Sequence, residues 1–121
     1  MSHTFPVDWK LAPRESDIEA QIMQYLALRH IPAFQTHGVH RLPGGGVRVV
    51  RPHRKGVPDI VGCLPWSGRM FQIEVKDDDG IVTEEQQAVM REFRRARALV
   101  FVARSVEDVQ QAIEAERQRK R

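Results

Sequence analysis

Two short β-branched runs in this chain each carry a carboxylate, and any core built from them has to accommodate it. Gly56-Val57-Pro58-Asp59-Ile60-Val61-Gly62 places Asp59 at the mouth of an apolar segment, and Ile73-Glu74-Val75-Lys76 sets Glu74 inside another. A buried carboxylate is costly unless a cation or a hydrogen-bond donor meets it. Both segments read as strands, whose side chains alternate between faces, so Glu74 and Lys76 point the same way. Two carboxylates and an amine converging on one sheet face suit a divalent metal that activates water against a phosphodiester. Taken singly, each has a plainer reading. Asp59 after Pro58 fits a turn aspartate bonding backbone donors, and Glu74 fits the wet face of a half-exposed strand with Gln72 and Lys76. The pair together favours the functional reading.

Helix and strand signals alternate around these runs. Residues 1–12 show no periodicity and read as an extended arm, residues 13–116 as one domain, and residues 117–121 as a basic tail. Ile18, Ile22, Tyr25, Leu26 and Arg29 form one stripe of a helix over residues 15–29, which Pro32 ends. Strands are expected at 33–37, 47–50, 60–64 and 70–76, with turns at Pro43-Gly44-Gly45-Gly46 and Pro65-Trp66-Ser67-Gly68. Thr83 and Gln86 form a capping box that opens a second helix ending near Arg97. The unbroken apolar run at 98–103 predicts a strand buried on both faces and paired in parallel inside the sheet. Ser105 caps a last helix carrying Val106, Val109 and Ile113. The order, a helix, three or four strands, a helix, a strand and a helix (α-β-β-β-α-β-α with three), predicts an α/β sandwich, a mixed central sheet flanked by helices.

At 121 residues the chain has room for one core, and 41% apolar with 29% charged residues suits a soluble globular protein. No apolar run approaches the ~20 residues of a membrane span. The amino-terminal stretch lacks the basic start and apolar block of a secretory signal, so a cytoplasmic location is expected. The single Cys63 excludes an intrachain disulfide framework and a multi-Cys zinc site, and its apolar segment predicts a buried structural thiol. The net charge of +3 decides little, but its distribution is uneven. Residues 20–58 contain no Asp or Glu, yet hold Arg29, Arg41, Arg48, Arg51, Arg54, Lys55 and four histidines. A basic stretch beside a carboxylate cluster suits a polyanion held next to a metal. Arg41, Arg48, Arg51, Arg54 and Lys55 are therefore expected to grip backbone phosphates.

The first helix offers a third carboxylate. On a helical projection of 100° per residue, Glu15 lies about 40° from the centre of the apolar stripe and Glu19 about 80° away. Ser16 with Glu19 also fits a capping box, so Glu15 is the expected third carboxylate. Gln86 carries the same double reading through Thr83. Asp77, Asp78 and Asp79 read as a solvated turn. His37 and His40 read as surface residues, and without an H-x-x-x-H pair the histidines do not form a zinc motif. Neither a Ser/His/Asp arrangement nor a nucleotide-binding glycine loop is present.

These residues resemble the VRR-NUC family within the PD-(D/E)xK nuclease superfamily. The resemblance is carried by Glu15 in ESDIEAQIMQYL, Asp59 in KGVPDIVG, Glu74 and Lys76 in IEVK, Gln86 in TEEQ, and VFVARSVEDV, across residues 14–113. The chain is similar to short stand-alone members of phage or bacterial type. This resemblance implies a restriction-endonuclease-like fold and a Mg²⁺- or Mn²⁺-dependent endonuclease that cuts structured DNA such as Holliday junctions or flaps. It assigns Glu15, Asp59 and Glu74, with the Val75 carbonyl, to the metal, Lys76 to the attacking water, and Gln86 to steadying the site. In such families the helix position of Glu19 is often Gln, which also points to Glu15. Two departures from the pattern are the acidic loop after IEVK and Arg97, where a Gly commonly precedes the fifth strand. Symmetric cutting of a four-way junction would call for a homodimer. The alternative is a catalytically silent or partner-dependent DNA-binding module of the same fold. A nuclease acting on RNA or plain duplex is a further rival.

Overall fold

The computed structural model describes residues 14–119. Helix α1 (Glu15–Leu28) leads into strands β1 (Ala33–Gln35), β2 (Gly38–Arg41), β3 (Val47–Val50), β4 (Ile60–Cys63) and β5 (Met70–Val75). Helix α2 (Glu84–Arg95), strand β6 (Leu99–Ala103) and helix α3 (Val106–Gln118) complete the chain. One sheet has the order β1-β4-β5-β6, and β2-β3 form a separate hairpin. β4 runs antiparallel to both β1 and β5, whereas β6 runs parallel to β5. The mixed α/β sandwich expected from the sequence is present. The arm at 1–12 and residues 120–121 of the basic tail lie outside the described residues, and Arg117 and Gln118 of that tail close α3. Among the described residues, no helix is long and apolar enough to cross a membrane.

The alternation of β5 sets up the layers. Phe71, Ile73 and Val75 pack with Ile18, Ile22 and Leu26 of α1 and with Val109 and Ile113 of α3. Gln72, Glu74 and the following Lys76 point to the opposite face, where Met90 of α2 packs on Ala98 and Val100. These three polar residues are also buried, at 2, 2 and 7% exposure. A polar row under a helix is unfavourable unless its groups are partnered, and that row leads to the site described below. Gly56 brings the preceding loop onto the same helix. Its φ is +85°, and an added Cβ would lie 2.4 Å from the Glu85 carbonyl oxygen, so only glycine permits this close approach.

Three local features differ from expectation. The strand foreseen at 33–37 ends at Gln35, although the Thr36 amide still meets the carbonyl of its register partner Asp59 at 2.9 Å, and the Thr36 hydroxyl bonds the Pro58 carbonyl at 2.7 Å. The chain then leaves the sheet and forms the β2–β3 hairpin, in which Val39 stands opposite Val49. Strand β6 lies at the sheet's edge and not inside it. Its apolar run is covered because Val100 and Val102 face α2 while Leu99, Phe101 and Ala103 join the α1/α3 core. Cys63, expected to be buried, is exposed at the end of β4, where it stands opposite Met70.

Arg97 adopts φ +78° in the turn between α2 and β6. The left-handed region costs an L residue about 1 kcal/mol or more, and glycine enters it freely. The Arg97 carbonyl accepts from Arg69 Nε at 2.9 Å, a backbone bond that any residue there can keep. Arg97→Gly is therefore expected to stabilise the fold by about 0.5–1 kcal/mol, read as a rise of a few degrees in thermal unfolding.

Candidate functional site

Asp59 stands one residue before β4. The β4–β5 register pairs Ile60 with Ile73, so one further step places Asp59 opposite Glu74. Residues directly opposite in an antiparallel ladder share a face and lie about 5 Å apart. Asp59 is then fixed from two sides. Its Oδ2 accepts the Val75 amide at 2.7 Å, and its Oδ1 lies 2.9 Å from His37 Nε2. A residue's N–H and C=O point to the same neighbouring strand, so the Val75 carbonyl also faces Asp59's side. This agrees with the Lys76 amide bonding Ala103 on the other side.

Glu74 is held by two cationic or amide donors on one oxygen only. Its Oε2 accepts from Gln86 Nε2 at 3.1 Å and lies 3.6 Å from Lys76 Nζ. Its Oε1 is buried and has no hydrogen-bond partner among the described residues. Gln86 bonds both Thr83 and Glu74. Its Oε1 accepts the Thr83 amide at 2.9 Å to complete the capping box, while its Nε2 serves Glu74. The start of α2 thus sets the Glu74 rotamer. Burial pushes the Glu74 carboxyl up to about 8, with the Asp59 charge adding to the rise and Lys76 opposing it. A carboxylate that resists ionisation this strongly, beside a second carboxylate, offers strong differential binding to a cation.

The α1 carboxylate that the structure brings beside Asp59 and His37 is Glu19, whereas Glu15 was the one expected. Glu19 is 5% exposed, its Oε2 is bonded by Gln35 Nε2, and its Oε1 lies 3.4 Å from His37 Nε2. Ligand atoms of Glu19, His37 and Asp59 all lie within 4.8 Å of one another, a group that includes neither Glu15 nor Glu74. Glu15 sits one turn earlier, about 5.4 Å back along the axis, and is half-buried in the first turn of α1. No capping duty holds Glu19 back, because Asp17 is the residue that accepts the Arg14 amide. Burial raises the Glu19 carboxyl above its usual range, opposed by the Gln35 hydrogen bond and reinforced by Asp59.

His37 is exposed, as expected of a surface residue, but the sequence reading missed its contact with both carboxylates. The available signal was period two: Gln35 and His37 alternate with Thr36, so both polar side chains turn toward one side. The basic residues are distributed unevenly around the site. Arg41 and Arg48 are exposed on the β2–β3 hairpin, and Arg51 lines a groove of about 400 Å³ with His37 and Asp59. Lys55 is exposed, while Arg54 is paired with Glu92 of α2. Asp77 closes its own turn by accepting the Asp79 amide at 3.0 Å, as expected of a solvated loop.

The family model of the VRR-NUC domain matches residues 13–107. A solved structure described as a VRR_NUC domain superposes with a TM-score of 0.61 at 24% identity, covering 85% of this chain and 97% of that one. At that identity the likeness speaks for the fold alone. No curated protein matches the chain.

Proposed function

Since the chain belongs to the VRR-NUC domain family, a family of nuclease domains, we propose that it is a divalent-metal-dependent, structure-selective DNA endonuclease. The observation that carries this reading is Glu74: buried, directly across from Asp59, bonded through one oxygen and unpartnered at the other. Glu19, Asp59, Glu74 and the Val75 carbonyl would hold the cation, with Mg²⁺ or Mn²⁺ as the candidates for such an oxygen-rich set. Bound there, the metal supplies Lewis acidity and lowers the pKa of a coordinated water.

The chain's own residues have distinct tasks. Gln86 locks the Glu74 carboxylate so that Oε1 stays open. The Val75 amide locks Asp59 in the same way. Lys76 directs an ammonium alongside Glu74, where it orients the attacking water and offsets charge that builds on the phosphorane oxygens. Arg41, Arg48, Arg51 and Lys55 lie free to meet backbone phosphates, which gives salt-dependent, largely sequence-independent affinity. Arg54 contributes less, because it must first leave Glu92. If junctions are cut symmetrically, a homodimer does so.

A panel of four-way junctions, flaps, linear duplex, single-stranded DNA and RNA, incubated with Mg²⁺ or Mn²⁺, tests the reading. Cleavage of branched or flapped DNA ahead of the other substrates is expected, and chelation abolishes it. Binding without cleavage of any substrate would instead favour a DNA-binding module, and preferred cleavage of RNA would move the substrate class.

A further inference from the structure

The proposed nuclease chemistry uses the three carboxylates and leaves His37 without a task. Its Nε2 is 2.9 Å from Asp59 Oδ1 and 3.4 Å from Glu19 Oε1. One ring nitrogen carries at most one proton, so it cannot donate well to both oxygens at once. A cation satisfies all three atoms together. Both carboxylates already have a second partner that fixes their orientation, the Val75 amide for Asp59 and the Gln35 amide for Glu19. Such outer partners are what metal ligands require to hold their geometry. Across the ladder, the buried and unpartnered Oε1 of Glu74 supplies an independent sign of a missing positive group. The imidazole is also placed for entry: the His37 side chain is 43% exposed, whereas those of Glu19 and Asp59 are 7% and 17% exposed.

Imidazole nitrogen is a poor ligand for Mg²⁺, which keeps oxygen donors and water, and a good one for borderline transition metals. We infer that His37 coordinates the same cation as Glu19 and Asp59, and that it biases the site toward Mn²⁺, Co²⁺ or Zn²⁺ over Mg²⁺. This inference rests on the nuclease reading above, since it assumes that the carboxylates bind a metal.

Calorimetric titration of the full chain with Co²⁺ and with Mg²⁺, without DNA, separates the possibilities. His37→Gln keeps an amide donor for Asp59 but removes the imidazole. Loss of the ligand is expected to weaken Co²⁺ binding by about 30-fold or more while Mg²⁺ changes by less than about threefold. Nitrogen hyperfine coupling in the Mn²⁺ electron spin-echo spectrum is expected in wild type and lost in the variant. His37→Asn repeats both measurements, and metal-free melting of each variant checks folding. Equal weakening of both metals, or unchanged Co²⁺ binding with no nitrogen coupling, would show that His37 only clamps Asp59, and would overturn the inference while leaving the nuclease reading standing. Wild type that binds neither metal would overturn both.

Discussion

Replacing Lys76 with Met is expected to slow cleavage of branched DNA by about 10³-fold while DNA affinity stays within about threefold. Methionine suits the test because the Lys76 stem is packed: an added Cβ at Gly80 would meet its Cδ at 3.0 Å. The apolar body stays and only the ammonium goes. That ammonium lies 3.6 Å from Glu74 Oε2, so it also repels an incoming cation. Its removal should leave Mn²⁺ affinity unchanged or tighter, even as turnover collapses. This split separates a group that acts on the reacting atoms from one that merely holds the metal. A fall in turnover accompanied by an equal loss of metal or DNA binding would assign Lys76 a structural part.

Glu74→Gln is expected to abolish cleavage and yet stabilise the metal-free protein at alkaline pH. The Glu74 carboxyl rises to about 8 in the folded chain from an ordinary 4.5. The folded state therefore binds this proton more tightly than the unfolded one. Its contribution to stability is complete below about pH 4.5 and is lost as pH climbs through about 8. Metal-free wild type should thus melt progressively lower across that window. Glutamine mimics the protonated acid at every pH, so the slope flattens. At pH 8 in chelator, the variant is expected to gain about 2 kcal/mol, less than the full shift because the buried Lys76 ammonium loses its charged partner. That corresponds to roughly 8 °C for a domain near this size. Saturating Mn²⁺ should raise the wild-type midpoint and leave the variant unmoved, because only a ligand that binds the native state stabilises it. Melting curves at four pH values, with chelator and with Mn²⁺, check each part. A variant that melts below wild type at pH 8 in chelator would mean that Glu74 is paired, not stranded.

Much of this arrangement was legible in the sequence because it follows from local periodicity. Period two alone puts Glu74 and Lys76 on one face, and the apolar alternation of Phe71, Ile73 and Val75 assigns the other face to the core. Capping chemistry located Gln86 at the start of its helix, next to where β5 ends. What the sequence concealed depends on contacts between distant segments. The Thr36 hydroxyl meets the Pro58 and Asp59 carbonyls, 22 and 23 residues away, a contact that no local pattern announces. The place of Glu19 beside Asp59 depends on Gln35 and His37, residues from a separate segment. On the helical projection Glu15 stays nearer the stripe whether or not the half-buried Tyr25 is counted, so the phase of α1 alone does not single out Glu19. The buried set Glu19, Ile22 and Leu26 follows the i, i+3, i+7 spacing just as well. Period two puts His37 on the same side as Gln35, but its place beside Asp59 comes from the pairing of β1 with β4.

The most direct measurement is anomalous scattering from a crystal of this chain loaded with Mn²⁺. A single peak should stand within coordination distance of Asp59 and Glu74 together, with Glu19 as a further oxygen donor and the Lys76 ammonium beside it. Mn²⁺ bound elsewhere, with Asp59 and Glu74 still fully occupied by protein donors, would contradict a shared cation and remove the basis for the proposed hydrolysis.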